Sequence, residues 1–170
     1  MVTKNWFNAF KAQMAQTTIL NGLRDTSGVA YNAGYGTGTN YLFMDTIVPR
    51  AGGLNWSRGS TGVVLGSGST PPTLDDYTLE NMIVEGLSGS VTNTAVDENH
   101  NVTKTYTITN TSDEDITIAE IGIHGWVYSQ SNRNSVCVLI ERTLLEEPVT
   151  IPAGGVGIVT YTLGMNIPEA

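Results

Sequence analysis

Thr105-Tyr-Thr-Ile-Thr-Asn-Thr-Ser-Asp-Glu-Asp-Ile-Thr-Ile-Ala-Glu-Ile-Gly-Ile123 is the stretch that decides the fold. It contains two runs that alternate apolar and hydroxyl residues, joined by the polar stretch Thr111-Ser-Asp-Glu-Asp115. A period of two places every second side chain on one face, which is the pattern of a half-buried strand, and two such runs joined by a polar turn fit a β-hairpin in a sandwich. In the second run Ile116, Ile118 and Glu120 alternate with Thr117, Ala119 and Ile121, so one of these sets is expected to face a core. With these two runs, the strands follow one another at about 88–96, 101–110, 115–125, 135–145 and 155–164. The turns between them are Asp97-Glu-Asn-His-Asn101, Ser129-Gln-Ser-Asn-Arg-Asn134 and Pro152-Ala-Gly-Gly155. Short strands at this spacing predict a mainly β chain: an antiparallel β-sandwich of jelly-roll or Ig-like Greek-key type.

Working outward from there, the N-terminal part differs. From about Asn5 to Leu23, Trp6, Phe7, Phe10, Met14, Ile19 and Leu20 recur at helical spacing, with Thr3 as N-cap and Gly22 as stop. This predicts an N-terminal α-helix that packs on its own sandwich or docks on a neighbouring subunit. Trp6, Phe7, Phe10 and Met14 are its candidate assembly contacts. Asp25 to Asn40 reads as a loop. Its Gly34-x-Gly36-x-Gly38 run lacks the strand, helix and acidic partner of a dinucleotide fingerprint. Tyr41 to Val48 fits a strand ended by Pro49, and Arg50 to Ser60 a loop holding Trp56. Thr61 to Gly66 is a short strand. In the loop that follows, Thr73 or Asp75 is placed to cap one helical turn, which Leu74, Tyr77 and Leu79 pin down. The organisation is a helical arm over 1–24, a Gly-rich linker and first strand over 25–60, and a sandwich domain over 61–170.

Composition narrows the function. The chain of 170 residues carries a net charge of −8, with three Lys and five Arg that form no basic stripe. Direct binding to a phosphate backbone or an anionic membrane is therefore not expected. Cys137 is the single cysteine and lies in the apolar run Val136-Cys-Val-Leu-Ile140, so it reads as a buried small hydrophobe. No apolar stretch is long enough to span a bilayer and no signal-peptide pattern opens the chain, so synthesis in a reducing cytoplasm is expected. Sequons at Asn55, Asn101 and Asn110 then carry little meaning.

Candidate chemistry is sparse. His100 lies in a polar turn, and His124 ends an apolar run beside Gly125-Trp126. Two His and one Cys so scattered make no zinc spacing. Asp75-Asp76, Asp97-Glu98, Asp113-Glu114-Asp115 and Glu146-Glu147 read as solvated turns rather than a calcium loop. No nucleophile elbow and no zinc-protease helix motif occurs. No catalytic residue, metal ligand or cofactor is assigned, and the chain is expected not to be an enzyme. A possible recognition surface consists of Trp56, Trp126, Tyr128 and Arg133, whose rings and guanidinium are of the kind that stack on sugars.

Val63-Val-Leu-Gly-Ser-Gly-Ser-Thr-Pro-Pro-Thr-Leu-Asp-Asp-Tyr-Thr-Leu79 resembles a loop element of tailed-bacteriophage virion proteins, with Gly66, Gly68, Pro72, Asp76 and Leu79 at the matching positions. Ile118-Ala-Glu-Ile-Gly-Ile123 resembles a strand of the same proteins, as do Leu139-Ile-Glu-Arg142 and Pro148-Val-Thr-Ile-Pro-Ala-Gly154. The resemblance covers roughly 61–165 and leaves out the N-terminal helix. It implies a non-enzymatic structural protein of a phage particle, made in the host bacterial cytoplasm and located in the virion. The expected partners are other capsid or tail proteins and further copies of the chain. Capsid-surface auxiliary or head-fibre protein is the leading expectation. A tail or head–tail connector subunit and a carbohydrate-binding host-attachment module are the alternatives.

Overall fold

The computed structural model describes residues 1–35, 62–96, 102–131 and 133–163. The expected strand 41–48, Trp56 and its loop, Gly36 and Gly38, His100, and the sequons at Asn55 and Asn101 lie outside the described residues.

The chain is mainly β, with antiparallel sheets and one N-terminal helix, α1 (Lys4–Met14). The strands are β1 (Ile19–Arg24), β2 (Ala30–Ala33), β3 (Gly62–Gly66), β4 (Leu87–Val96), β5 (Val102–Asn110), β6 (Ile116–Ser129), β7 (Asn134–Ile151) and β8 (Val156–Leu163). One sheet runs β1-β2-β6-β3, with β7 on the other side of β6; the second runs β4-β5-β8. The opening stretch of the sequence therefore does not form a hairpin within one sheet. Its two runs are β5 and β6, and the Thr111–Asp115 turn carries the chain from the second sheet to the first. The chain returns from β7 to β8 through Pro152–Gly155, where the Gly155 N–H donates to the Pro152 carbonyl at 2.8 Å.

The two sheets close on one core built from Val63, Leu65, Leu87, Tyr106, Ile108, Ile118 and Ile151. A second cluster joins Ala9 and Ala12 of α1 to Leu23, Ala33, Ile123, Val127, Val136, Val138 and Ile140. A third lies on the opposite face of β3 and β7, where Leu79 of the 67–82 loop covers Val64 and Leu139. All five residues of β3 are buried because both of its faces are covered. Its unbroken apolar run reflects this.

Several expectations are corrected. The helix stops at Met14, and Ile19–Arg24 is a strand. Gln16 turns left-handed at φ 47°, and the β-branched Thr17, Thr18 and Ile19 favour extended backbone. Gly22 lies inside β1 and is not the helix stop. Thr3 occupies the N-cap position without a side-chain cap, and its hydroxyl donates to the Leu139 carbonyl at 2.6 Å instead. Within the predicted 25–40 loop, Ala30–Ala33 pairs with β1 as β2. No helical turn forms at Thr73–Asp76. Glu146 and Glu147 sit within β7, whose eighteen residues run well past the expected end.

Two irregularities control which side chains face the core. Between Ile118 and Glu120 the pairing of β6 with β7 shifts, and it shifts again between Ile123 and His124. Ile118 faces the inter-sheet core. Glu120, two residues on, faces the opposite side, contrary to simple alternation. A bulge re-aims side chains in this way.

Candidate functional site

The 67–82 loop is held by an ion cluster buried against the outer face of β6 and β7. Glu120 is 0% exposed and Arg142 3%. Glu120 Oε2 accepts from Arg142 Nε at 2.6 Å and from the Glu80 N–H at 3.2 Å. Its Oε1 accepts from the Gly68 N–H at 3.1 Å and the Asn81 N–H at 2.8 Å. Arg142 uses its remaining donors on Asp76 Oδ2 at 2.9 Å, the Thr70 carbonyl at 3.0 Å and Glu80 Oε2 at 3.4 Å. The cluster thus binds both ends and the middle of the loop to two adjacent strands.

The glycines fit this arrangement. A Cβ on Gly66 would fall on Glu120 Oε1, and one on Gly68 would lie 2.6 Å from that atom and from the Glu80 Cβ. Only a bare backbone admits the carboxylate at this distance. Asp76 is partly desolvated, which opposes its ionisation. Hydrogen bonds from the Thr73 N–H and hydroxyl and from Arg142 outweigh this and hold its carboxyl below the usual range. The Thr70 hydroxyl and N–H do the same for Glu80, against partial desolvation and with help from the Ser69 N–H and Arg142. Asp76 is thus an ion-paired residue and not part of a solvated turn. The donors and acceptors of the cluster are engaged with one another. Its chemistry is that of a fastener.

The N-terminus is fixed to the same strand. The Thr3 N–H donates to the Ile140 carbonyl, and the Met1 amino group to the Arg142 carbonyl. Asn5 Nδ2 bridges the Arg24 and Leu139 carbonyls at 3.0 and 3.2 Å, while its Oδ1 accepts from the Arg24 N–H at 2.7 Å. The helix therefore packs on its own chain, through Asn5, Ala9 and Ala12. At about 100° per residue, Phe7, Phe10 and Met14 fall on the far side. They are 54%, 47% and 70% exposed. Trp6 lies between the two sides, half-buried against the helix-bearing core.

The structure places Trp126 and Tyr128 on one face of β6, two residues apart, with Trp126 partly exposed. Arg133 is exposed in the β6–β7 turn at φ 54°. Trp56 lies outside the described residues. A polar cleft of about 260 Å³ runs beside α1, lined in part by Lys4, Asn8, Asn21, Arg24 and Asp75. Arg24 stacks on the Tyr77 ring, 4.4 Å from its centroid. His124 is in mid-strand and wholly buried, not at a strand end. Burial, reinforced by Asp25, pushes the Cys137 thiol up to about 12. Among the described residues, no three His, Cys, Asp or Glu side chains come together as a metal site. None of the described helices is long and apolar enough to cross a membrane.

Sequence reasoning singled out the pieces of the ion cluster separately and did not join them. The available signal was one acid in the apolar run Ile118-Ala-Glu-Ile-Gly-Ile123 and one base, beside Glu141, at the end of the apolar run Val136-Cys-Val-Leu-Ile-Glu-Arg142. An ionised group there needs a partner. Gly66, Gly68, Asp76, Leu79, Glu120 and Arg142, drawn from three separate stretches, meet at this one place. No family model, curated protein or solved structure matches the chain.

Proposed function

We propose that this chain is a non-enzymatic structural subunit of a tailed-bacteriophage particle, an auxiliary or head-fibre component of the capsid exterior that works through subunit contacts. The observation that carries the reading is the division of α1. Its small residues are used to pack on its own sheet, and its large apolar residues, Phe7, Phe10 and Met14, face solvent together. Leu20, at the start of the following strand, is exposed as well. Large apolar side chains gathered on one exposed helix face mark a contact surface. The particle itself is suggested by the resemblance, whose residues here serve to fasten a loop and leave the sandwich free to act as a scaffold.

The test is Phe7→Asp/Phe10→Asp. Deleting the arm would also remove β1 and the Thr3 and Asn5 hydrogen bonds, so substitution of exposed residues is the cleaner experiment. The variant is expected to fold normally and to be lost from purified particles. Incorporation at the parent level would refute the helix contact. Rings or tubes of the purified protein in negative stain would move the assignment to a tail or connector subunit.

The shared face of Trp126 and Tyr128 favours a second reading, a carbohydrate-binding attachment module. Glycan binding by the parent that Trp126→Ala abolishes would support it. An array with no binding removes it.

A further inference from the structure

The second sheet has two outer edges, and they differ. At one edge, the pairing of β4 with β5 is broken by a bulge between Val91 and Asn93. At the other, β8 pairs with β5 through eight consecutive residues without interruption. Among the described residues, no strand pairs with the free side of β8. An exposed edge is ordinarily protected by Lys, Pro, a bulge or an inward charge. Val156-Gly-Ile-Val-Thr-Tyr-Thr-Leu163 has no charged residue, no Pro and no bulge. Its outward side chains include Val156 and Ile158, the latter 71% exposed.

The surroundings of this edge are also apolar. A groove of about 240 Å³ opens between β8 and the first sheet, lined by Ile118, Ile121, Leu145, Val149 and Ile158 among others. The outer face of the same sheet carries Thr105, Thr107 and Thr109, with Thr103 and Thr162 joined by a 3.0 Å hydroxyl contact. In a chain of net charge −8, two copies repel each other over most of their surface. The uncharged β8 edge is a place where they can meet.

We propose that β8 is a self-association strand, which pairs antiparallel with β8 of a second copy to make a continuous six-stranded sheet. A two-fold axis through Val159 suits the side chains. It sets Ile158 against Thr160 and Val156 against Thr162 on the outer face. On the inner face it sets Tyr161 against Gly157, which leaves room for the ring. An isologous contact of this kind needs only one self-complementary patch. An edge of eight residues is about 26 Å long, less than a standard interface provides by itself, so the dimer is weak and concentration-dependent. Both copies carry a net charge of −8, so added salt strengthens the pairing. The proposal extends the subunit reading and depends on it for its biological setting.

The test is sedimentation equilibrium of the full chain from micromolar to millimolar concentration, at low and high salt. The parent is expected to pass from monomer to dimer, more readily in high salt. Ile158→Lys, an exposed change that leaves the unfolding midpoint unaltered, is expected to remain monomeric. Val159→Cys provides an independent readout, because the native Cys137 is buried. Mild oxidation of this variant should give a disulfide-linked dimer. A parent monomeric throughout, an Ile158→Lys variant that dimerises like the parent, or a Val159→Cys chain that does not cross-link would each overturn the proposal. Loss of edge pairing with normal dependence of particle incorporation on Phe7 and Phe10 would leave the subunit reading intact.

Discussion

Replacing Arg142 by Met tests the account of the ion cluster most severely. The substitution keeps the length of the side chain and removes every donor. Glu120 would then stay buried without its 2.6 Å guanidinium partner, and Asp76 and the Thr70 carbonyl would also lose theirs. Breaking a buried pair from one side costs about 3–5 kcal/mol. Glu120 retains the Gly68, Asn81 and Glu80 N–H groups, which still favour a carboxylate, so the expected loss is at the lower end, about 3 kcal/mol. At about 2–4 °C per kcal/mol for a chain of this size, the melting temperature should fall by roughly 6–12 °C. The decisive comparison is Glu120→Met/Arg142→Met. An ordinary buried ion pair can often be replaced by hydrocarbon with no loss, or with a gain. Here three backbone N–H groups converge on the acid and would keep no acceptor, at about 1–3 kcal/mol for each that stays dry. The double variant should therefore be no more stable than Arg142→Met. Urea unfolding followed by circular dichroism measures both, with limited proteolysis as a check on release of the 67–82 loop. A double variant with parental stability would refute the argument that Glu120 chiefly organises the loop backbone.

Gly68→Ala should cost about 1–3 kcal/mol, because its methyl would intrude on Glu120 and Glu80; an unchanged urea midpoint would contradict the close approach. Stability should decline as pH falls below about 4.5. Asp76 and Glu80 have folded-state pKa values below their ordinary 3.8 and 4.5, so their contribution is complete above those values and is lost on descent through the lowered ones. Thermal melts of the parent and Asp76→Asn across pH 2–7 should converge at the acid end, and parallel curves would count against the linkage. Cys137 should be inert to a thiol reagent until the chain unfolds, given its burial and a thiol pushed up to about 12. Labelling of the native protein faster than its unfolding would show that the thiol is accessible.

The strands from Leu87 onward were legible because local chemistry writes them directly. Alternating Thr and Ile mark β5 and β6, and Asp, Asn, Gly and Pro mark the turns, so the ends of β4, β5 and β8 fall within a residue or two of expectation. The N-terminal region was harder to read. Phe7, Phe10 and Met14 have helical spacing whether that face meets a core or solvent, and spacing does not reveal that Ala9 and Ala12 take the buried side. Ile19 and Leu20 continue the helical pattern, yet pairing with Ala30–Ala33 draws them into a strand.

Local sequence was enough for the mainly β, antiparallel class and for most strand boundaries from Leu87 onward, since these follow from side-chain period and turn chemistry. Only the tertiary structure decided which face each side chain takes. The register shift after Ile118 turns Glu120 out of the sandwich core. The second shift, before Glu141, places Arg142 on the same side as Leu139, so that acid and base meet under Gly66 and Gly68. Those shifts depend on pairing between β6 and β7, and on a loop nearly forty residues earlier in the chain than Glu120. Contacts of that range leave no local periodicity in either strand, so neither run of residues announces its partner.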